Sequence, residues 1–351
     1  MDRSRISRNN YNFLTRQVGE AGLGPTILYL EQDKSSPYWG LMVMEELPDG
    51  GFSDEFTSSN VTKEDMAALG FLLGKLHTLP TTEAGKAADL AKTLLMEQGM
   101  EQDVVEELHQ SAGGYVIFLI YWWKTLFPLW MAKNSPTNHP LPMAYVDRFL
   151  NIILKVGRVK PRTEVMSRLG FSHADAWHGN LMRKGERIVA IDCETASIGP
   201  AFLDFGGILW NGLSVNGGQP HLDRCLREEL VLSFYRTIGE KCEKMEDVLY
   251  DLELGSIYRQ LWVILCIQFG LVSKPLDTVE KIGGLFMEKT ELMVSGMERA
   301  VDDEEVMKDI VEKGIYWTVR HQLSEGSEKC LKKHVSIIYC KTANGLSLVF
   351  R

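Results

Sequence analysis

The stretch from His173 to Asp192 restricts this chain more than any other. It runs His173-x-Asp175, reaches Asn180 five residues later, turns back through a short polar segment, and ends on Val189-Ala190-Ile191-Asp192. Val and Ile are β-branched and suit a buried, pleated strand. The pattern therefore predicts a strand over 188–191, inside a strand–loop–strand unit spanning Gly170 to Ala196. The loop can turn Asp175 and Asn180 toward one point, and the strand delivers Asp192 to the same cleft.

That trio of oxygen-bearing side chains suits phosphoryl transfer. Such chemistry asks little covalent help of a protein. It needs the acceptor oxygen aligned with phosphorus and the charge on the phosphate oxygens compensated. Asp175 fits the base that receives the acceptor's proton. Asn180 and Asp192 fit ligands of Mg²⁺, a hard cation that keeps several waters and needs only one or two carboxylates. His173 completes the catalytic loop and is expected to brace its backbone. A plainer reading stands beside this one, in which Asp175 and Asn180 only cap turns.

Around this unit the sequence alternates short strands with long helices. A helical pattern over Asn10 to Glu20 stops at Gly22-Leu23-Gly24-Pro25. Thr26 to Leu30 and Leu41 to Met44 read as two strands joined by a polar turn around Asp33 to Pro37. Glu45 to Gly51 is a polar, Gly/Pro-rich connector. From Lys63, apolar residues Met66, Leu69, Leu72, Leu73 and Leu76 recur at helical steps as far as His77, itself expected to be a satisfied structural histidine. Residues 83–110 are polar and helix-permissive. The aromatic segment Tyr115 to Met131, a Pro/Asn/His loop over Asn134 to Pro142 and a helix from Tyr145 to Val156 follow. The chain from Arg224 to Arg320 is mostly helical, and its apolar end (VSIIYC, LSLVF) follows no period that assigns an element.

Composition narrows the function classes. The formal charge of −9 argues against a general nucleic-acid binder. Six cysteines without zinc-site spacing read as reduced thiols of a cytoplasmic protein, and the N-terminus has no apolar stretch of a secretory signal. Tyr115 to Met131 is interrupted by Lys124 and Pro128, and Ile257 to Val272 carries Arg259, Gln260 and Gln268. A membrane span needs about 20 predominantly apolar residues, so both segments are expected to be buried helices.

Phe171-Ser172-His173-Ala174-Asp175, Asn180-Leu181-Met182, Ile191-Asp192-Cys193-Glu194 and Gly199-Pro200-Ala201-Phe202-Leu203-Asp204 occur in this order. Gly22-Leu23-Gly24-Pro25, Met42-Val43-Met44-Glu45 and Leu73-Gly74-Lys75-Leu76-His77 precede them. In this order the chain resembles the aminoglycoside phosphotransferase/choline kinase-like family, a relative of the protein kinases, over roughly residues 8–300. Ala174 replaces the glycine of the commoner His-Gly-Asp loop. The resemblance implies an α+β, bilobal protein kinase-like fold with a truncated, small β-containing N-lobe and a large, mainly helical C-lobe. Residues 1–48 would form the N-lobe remnant and hinge, 49–320 the C-lobe with the catalytic loop, and 321–351 a tail of unassigned structure. ATP would lie between the lobes, its adenine against Met44, Glu45, Glu46 and Leu47. Asp175 would be the base, with Asn180 and Asp192 holding Mg²⁺. Asp204 would hold the loop backbone.

The acceptor implied is a small molecule with a hydroxyl. Trp177, His178, Glu194, Asp204 and Trp210 are candidates to border it. Aromatic faces beside Glu194 and Asp204 would suit a cation such as a quaternary ammonium, although Tyr121, Trp122 and Trp123 also read as packing of a helix pair. A complete family member begins with a Gly-rich turn and a strand Lys that contacts the phosphates. Here no Gly precedes Gly19 and the first lysine is Lys34. Two readings follow: an ATP- and Mg²⁺-dependent small-molecule phosphotransferase, and an impaired pseudokinase, binding module or fragment of a longer kinase.

Overall fold

The computed structural model describes residues 13–32, 40–47, 49–52, 61–126, 144–209, 223–272, 337–342 and 345–350, with single positions between 294 and 305. Helix α1 (13–20) buries Leu14 and Val18 and ends at Gly22, whose φ is 70°. Strands β1 (Ile27–Gln32) and β2 (Gly40–Met44) pair antiparallel, Leu30 opposite Met42. They form a two-stranded sheet whose apolar side chains are largely uncovered: Leu28 is 65% exposed, and Tyr29, Leu41 and Val43 are also exposed.

Helix α2 (Lys63–His77) begins where the apolar period begins, because Thr62 and Asp65 cap it reciprocally. The Asp65 backbone N–H donates to Thr62 Oγ1 at 3.2 Å, and the Thr62 N–H donates to Asp65 Oδ2 at 2.9 Å. Its buried face carries the five apolar residues of the sequence period. Helices α3 (Thr82–Glu97) and α4 (Gln102–Tyr121) occupy the helix-permissive region. The helical path crosses from that region into the aromatic segment without a break in the chain's course, kinked at Gly113 (φ 74°). A single π turn, Trp122–Leu126, closes it. Trp123 is fully buried, its ring 4.3 Å from that of Phe149. Phe149 lies on α5 (Ala144–Arg158), the helix expected after the loop; Asn134 to Pro142 fall outside the described residues.

After a one-turn helix α6 (Glu164–Ser167) come β3 (Leu169–Ser172), β4 (Leu181–Lys184), β5 (Arg187–Ala190) and β6 (Ser197–Pro200). Strand β3 pairs with β6, and β4 with β5, both antiparallel. The strand expected over 188–191 lies one residue earlier. Ile191 leaves the ladder because its N–H donates at 2.9 Å to the carbonyl of Asn180. The β4–β5 hairpin is fastened to the upstream chain: Ala190 N–H donates to Leu23 O, Phe52 N–H to Leu181 O, and Arg183 N–H to Gly50 O.

Helices α7 (Phe202–Leu209), α8 (Arg224–Ile238) and α9 (Met245–Val272) complete the described core. Helices α7 and α9 cross with backbones in contact. A Cβ on Gly206 would lie 2.2 Å from the Gly255 carbonyl carbon, and one on Gly255 would lie 2.1 Å from Phe202 O. Helix α8 packs along α2, where Ser233 Oγ donates to Ala67 O at 2.5 Å. From α5, Arg148 and Lys155 pair with Glu298 and Asp302 at 2.7 and 2.8 Å. Near the end of the chain, β7 (Ile337–Thr342) and β8 (Gly345–Phe350) form an antiparallel hairpin. Among the described residues no helix is long and apolar enough to cross a membrane. Ile257 and Leu261 of α9 are instead buried in the core.

Candidate functional site

Strand β3 ends at Ser172, and the chain then makes a tight loop through His173, Ala174 and Asp175 before a 3₁₀ turn, His178–Asn180, feeds β4. Asp204, in the first turn of α7, organises that loop. Its carboxylate accepts the Ser172 hydroxyl at 3.0 Å, the His173 N–H at 2.9 Å and the Ala174 N–H at 2.8 Å. Three donors on one buried carboxylate fix the loop's entry. They also allow Ala174 its left-handed φ of 62°, a conformation costly for a residue with a Cβ. Burial pushes Asp204 above the usual carboxylate range, against the pull of His173 and the three donors.

His173 is wholly buried, and its Nε2 donates to the Ile191 carbonyl at 2.8 Å. That bond ties the loop to the end of β5. Burial opposes a charge on the ring, but the nearby Cys193 sulfur and the Asp204 and Asp175 carboxylates outweigh it and raise the pKa to about 9. Thr195 Oγ1 donates to His173 O from the far side of the Asp192 turn.

Asp175 and Asn180 are brought together. Asn180 Nδ2 donates to Asp175 Oδ2 at 2.8 Å and to the Asp175 carbonyl at 3.0 Å. The bond from Ile191 N–H to Asn180 O places Asp192 one residue from the Asn180 backbone. Asp192 has a left-handed φ of 64° and starts the 3₁₀ turn Cys193–Thr195. Asp175 and Asn180 are thus joined by their side chains, and Asp192 follows the residue whose backbone is bonded to Asn180.

Trp177 and His178 pack edge to face, ring centroids 4.8 Å apart, beside the same loop. The side chain of Glu194 and the whole of Trp210 lie outside the described residues. Tyr121 and Trp123 are buried in the helical core. Of the candidates for contact with adenine, Met44 and Glu46 are exposed, and Glu45 and Leu47 are partly so. Glu45 pairs with Lys184 at the tip of the β4–β5 hairpin, which holds its carboxylate below the usual range. Arg183, one residue earlier, pairs with Asp65 at 2.7 Å.

The structure adds a group that the sequence pattern does not single out. Arg259 of α9 forms an ion pair from its Nη1 to Asp175 Oδ1. Its guanidinium carbon lies 5.9 Å from the Trp177 ring centroid. The Arg259 side chain is 8% exposed and that of Asp175 16%. Gly255 lies one helical turn earlier on the same face of α9, so the close α7–α9 crossing presents Arg259 to the loop. Gly207 of α7 completes the approach, since a Cβ there would sit 2.5 Å from Ala176 O. A charge inside the apolar run of α9 was the sequence signal for Arg259. It argues against a membrane span, and equally for a buried ionic partner 84 residues away.

A family model described as "Phosphotransferase enzyme family" matches residues 11–230, well over half of the chain. Among solved structures, a choline/ethanolamine kinase family protein from Mesorhizobium loti is 16% identical with a TM-score of 0.50, over 88% of this chain and 84% of that one. An ethanolamine kinase from Plasmodium vivax is 12% identical with a TM-score of 0.53, over 77% of this chain and 69% of that one. At such identities the likeness concerns the fold, which is α+β and kinase-like. No curated protein matches the chain.

Proposed function

Because the chain belongs to the phosphotransferase enzyme family, we propose that it transfers the γ-phosphoryl group of ATP to a hydroxyl of a small molecule. The observation that carries this reading is the joined pair Asp175–Asn180, with Asp192 held one residue from Asn180's backbone partner. In the transfer, the acceptor oxygen bonds to the γ-phosphorus while the bond from phosphorus to the β–γ bridging oxygen breaks. The acceptor's proton passes to Asp175 and ADP departs. Each carboxylate oxygen of Asp175 has two acceptor sites, so its bonds to Arg259 and Asn180 leave room for the hydroxyl.

Asn180 and Asp192 supply hard oxygen donors, and the Asn180 amide nitrogen is committed to Asp175, which turns its carbonyl oxygen elsewhere. That donor set fits Mg²⁺, which when bound would neutralise phosphate charge. Asp204 and His173 keep the loop in shape without meeting the reacting atoms. Residues 44–47 would face the adenine, with 1–48 as the small lobe and hinge, 49–320 as the large lobe and 321–351 as a tail. Cys193, Cys225 and Cys242 are free thiols, which accords with a cytoplasmic setting.

A second reading, a nucleotide-binding module without turnover, is favoured by the engagement of both Asp175 oxygens, by Arg259 and by Asn180. Thermal-shift titration with ATP and Mg²⁺, followed by turnover assays on Asp175→Asn, separates the two. The enzyme reading expects stabilisation by Mg-ATP and a turnover loss of about 10²-fold or more in Asp175→Asn with binding retained. It also expects weaker Mg²⁺-dependent stabilisation in Asp192→Asn. Full turnover in Asp175→Asn would remove it from the role of base. Binding without turnover by the wild-type chain would leave the module.

A further inference from the structure

We infer that Arg259 is a positioning residue for the transfer: it fixes the orientation of the Asp175 carboxylate, and its effect on turnover passes through that carboxylate. The inference rests on the proposal that Asp175 is the base. The backbone of Asp175 is already held, since its carbonyl accepts the Trp177 N–H at 2.9 Å and Asn180 Nδ2 at 3.0 Å. The side chain is the part left to move. Rotation of an Asp carboxylate about its last bond is broad and roughly two-fold, so a carboxylate held at one oxygen can still swing. Asn180 takes Oδ2. Arg259 takes the other oxygen, Oδ1, and so removes the swing.

The two holds come from different parts of the fold. Asn180 belongs to the loop's own 3₁₀ turn and would move with it. Arg259 stands on α9, whose Gly255 lies against Phe202 and Gly206 of α7 at a separation that admits no Cβ. The base is thus referenced to the helical core as well as to its loop. The guanidinium carbon also lies 5.9 Å from the centre of the Trp177 ring, two residues on from Asp175, so one side chain meets the loop at two points. A second consequence follows for Asn180, which spends its amide nitrogen on Asp175. If the carboxylate turned, that amide would be released and its carbonyl oxygen would turn with it. A displacement of about 1 Å can cost about 10²-fold in rate, so a side chain that never meets the acceptor can govern turnover.

Transfer to water, read as phosphate release from radiolabelled Mg-ATP, tests the inference without a chosen acceptor, because the water's proton passes to the same base. Rates are compared for the wild type, Arg259→Lys, Arg259→Met, Asp175→Asn and the double variant Asp175→Asn/Arg259→Met, with the thermal shift by Mg-ATP as the measure of nucleotide binding. Arg259→Met is expected to lower kcat at least about tenfold while KM for ATP changes less than about threefold, as for an interaction that matters in the transition state. Arg259→Lys, which keeps the charge without the planar fork, should recover part of kcat. In the Asp175→Asn background the Met substitution should change the remaining rate less than about twofold, because the carboxylate it positions is gone. If Arg259→Met does not fold, Arg259→Lys in both backgrounds decides by the same criteria. An unchanged or raised kcat in Arg259→Met overturns the inference, as does a loss confined to KM or an equal fall in both backgrounds. Failure of the phosphotransferase reading shows separately, as a wild type that neither releases phosphate nor is stabilised by Mg-ATP, and it takes the inference with it.

Discussion

Asp204 concentrates the cost of the loop from Ser172 to Asp175 in one side chain. Its two oxygens satisfy the hydroxyl of Ser172 and the N–H groups of His173 and Ala174, all of them buried. Asp204→Ala would leave three donors unpaired in a site too tight for Ala174 to relax from its positive φ. Unpaired buried donors cost about 1–3 kcal/mol each, partly offset by relaxation. A total loss of about 3 kcal/mol is expected, read from the urea midpoint at constant m-value. A loss below about 1 kcal/mol would mean that water replaces the carboxylate and that the loop is not built on it. The order of His173, Asp175, Asn180 and Asp192 was legible because the loop is short and its residues lie close in sequence. Arg259 was not. Its partner is 84 residues away, and nothing local to α9 says which way a buried charge points.

At the scale of elements, the crossing of α7 and α9 sets the loop's position. Gly206 and Gly255 let the two backbones touch, and Gly207 lets α7 touch Ala176. Gly255→Ala would force the helices apart. The expected cost is about 1–3 kcal/mol of stability, as for other overpacked contacts. Because Arg259 rides on α9 and pairs with Asp175, the same variant should lower turnover as well as stability; unchanged turnover would count against a link through α9. Element by element, the sequence was most readable where period and cap agree. Helix α2 begins at Lys63 because the apolar step pattern and the Thr62–Asp65 cap coincide. Strand β5 was misplaced by one residue because Ile191, β-branched and apolar, looks like strand yet gives its N–H to Asn180. The β7–β8 hairpin had no legible period, since its apolar residues do not alternate cleanly with polar ones.

For the molecule as a whole, acid stability should carry the mark of His77. Burial, with the charge of Arg168, lowers its pKa to about 4, and its Nε2 has no hydrogen-bond partner among the described residues. The expectation of a satisfied structural histidine holds in part: the ring is packed against Phe234 and hydrogen-bonded to backbone at Phe171 and Arg168, while its Nε2 is unpaired. The unfolded chain protonates this histidine near pH 6.5, while the folded chain resists until about pH 4. Its contribution is full above pH 6.5 and is lost as the pH falls through that window. The loss reaches at most about 3 kcal/mol. Urea titrations from pH 7.5 to 4 should show this slope in the wild type and a flatter one in His77→Phe; identical slopes would remove His77 from the account.

The β4–β5 hairpin carries two cationic residues in succession, Arg183 reaching Asp65 and Lys184 reaching Glu45. Both contacts are part-exposed, and they fasten the hairpin to separate stretches of chain upstream. Contacts of that kind weaken as dissolved ions crowd around them. The stiffness of this seam is thus a property of the medium as well as of the polypeptide. A dilute buffer stiffens it, and a concentrated one slackens it without the loss of any apolar contact.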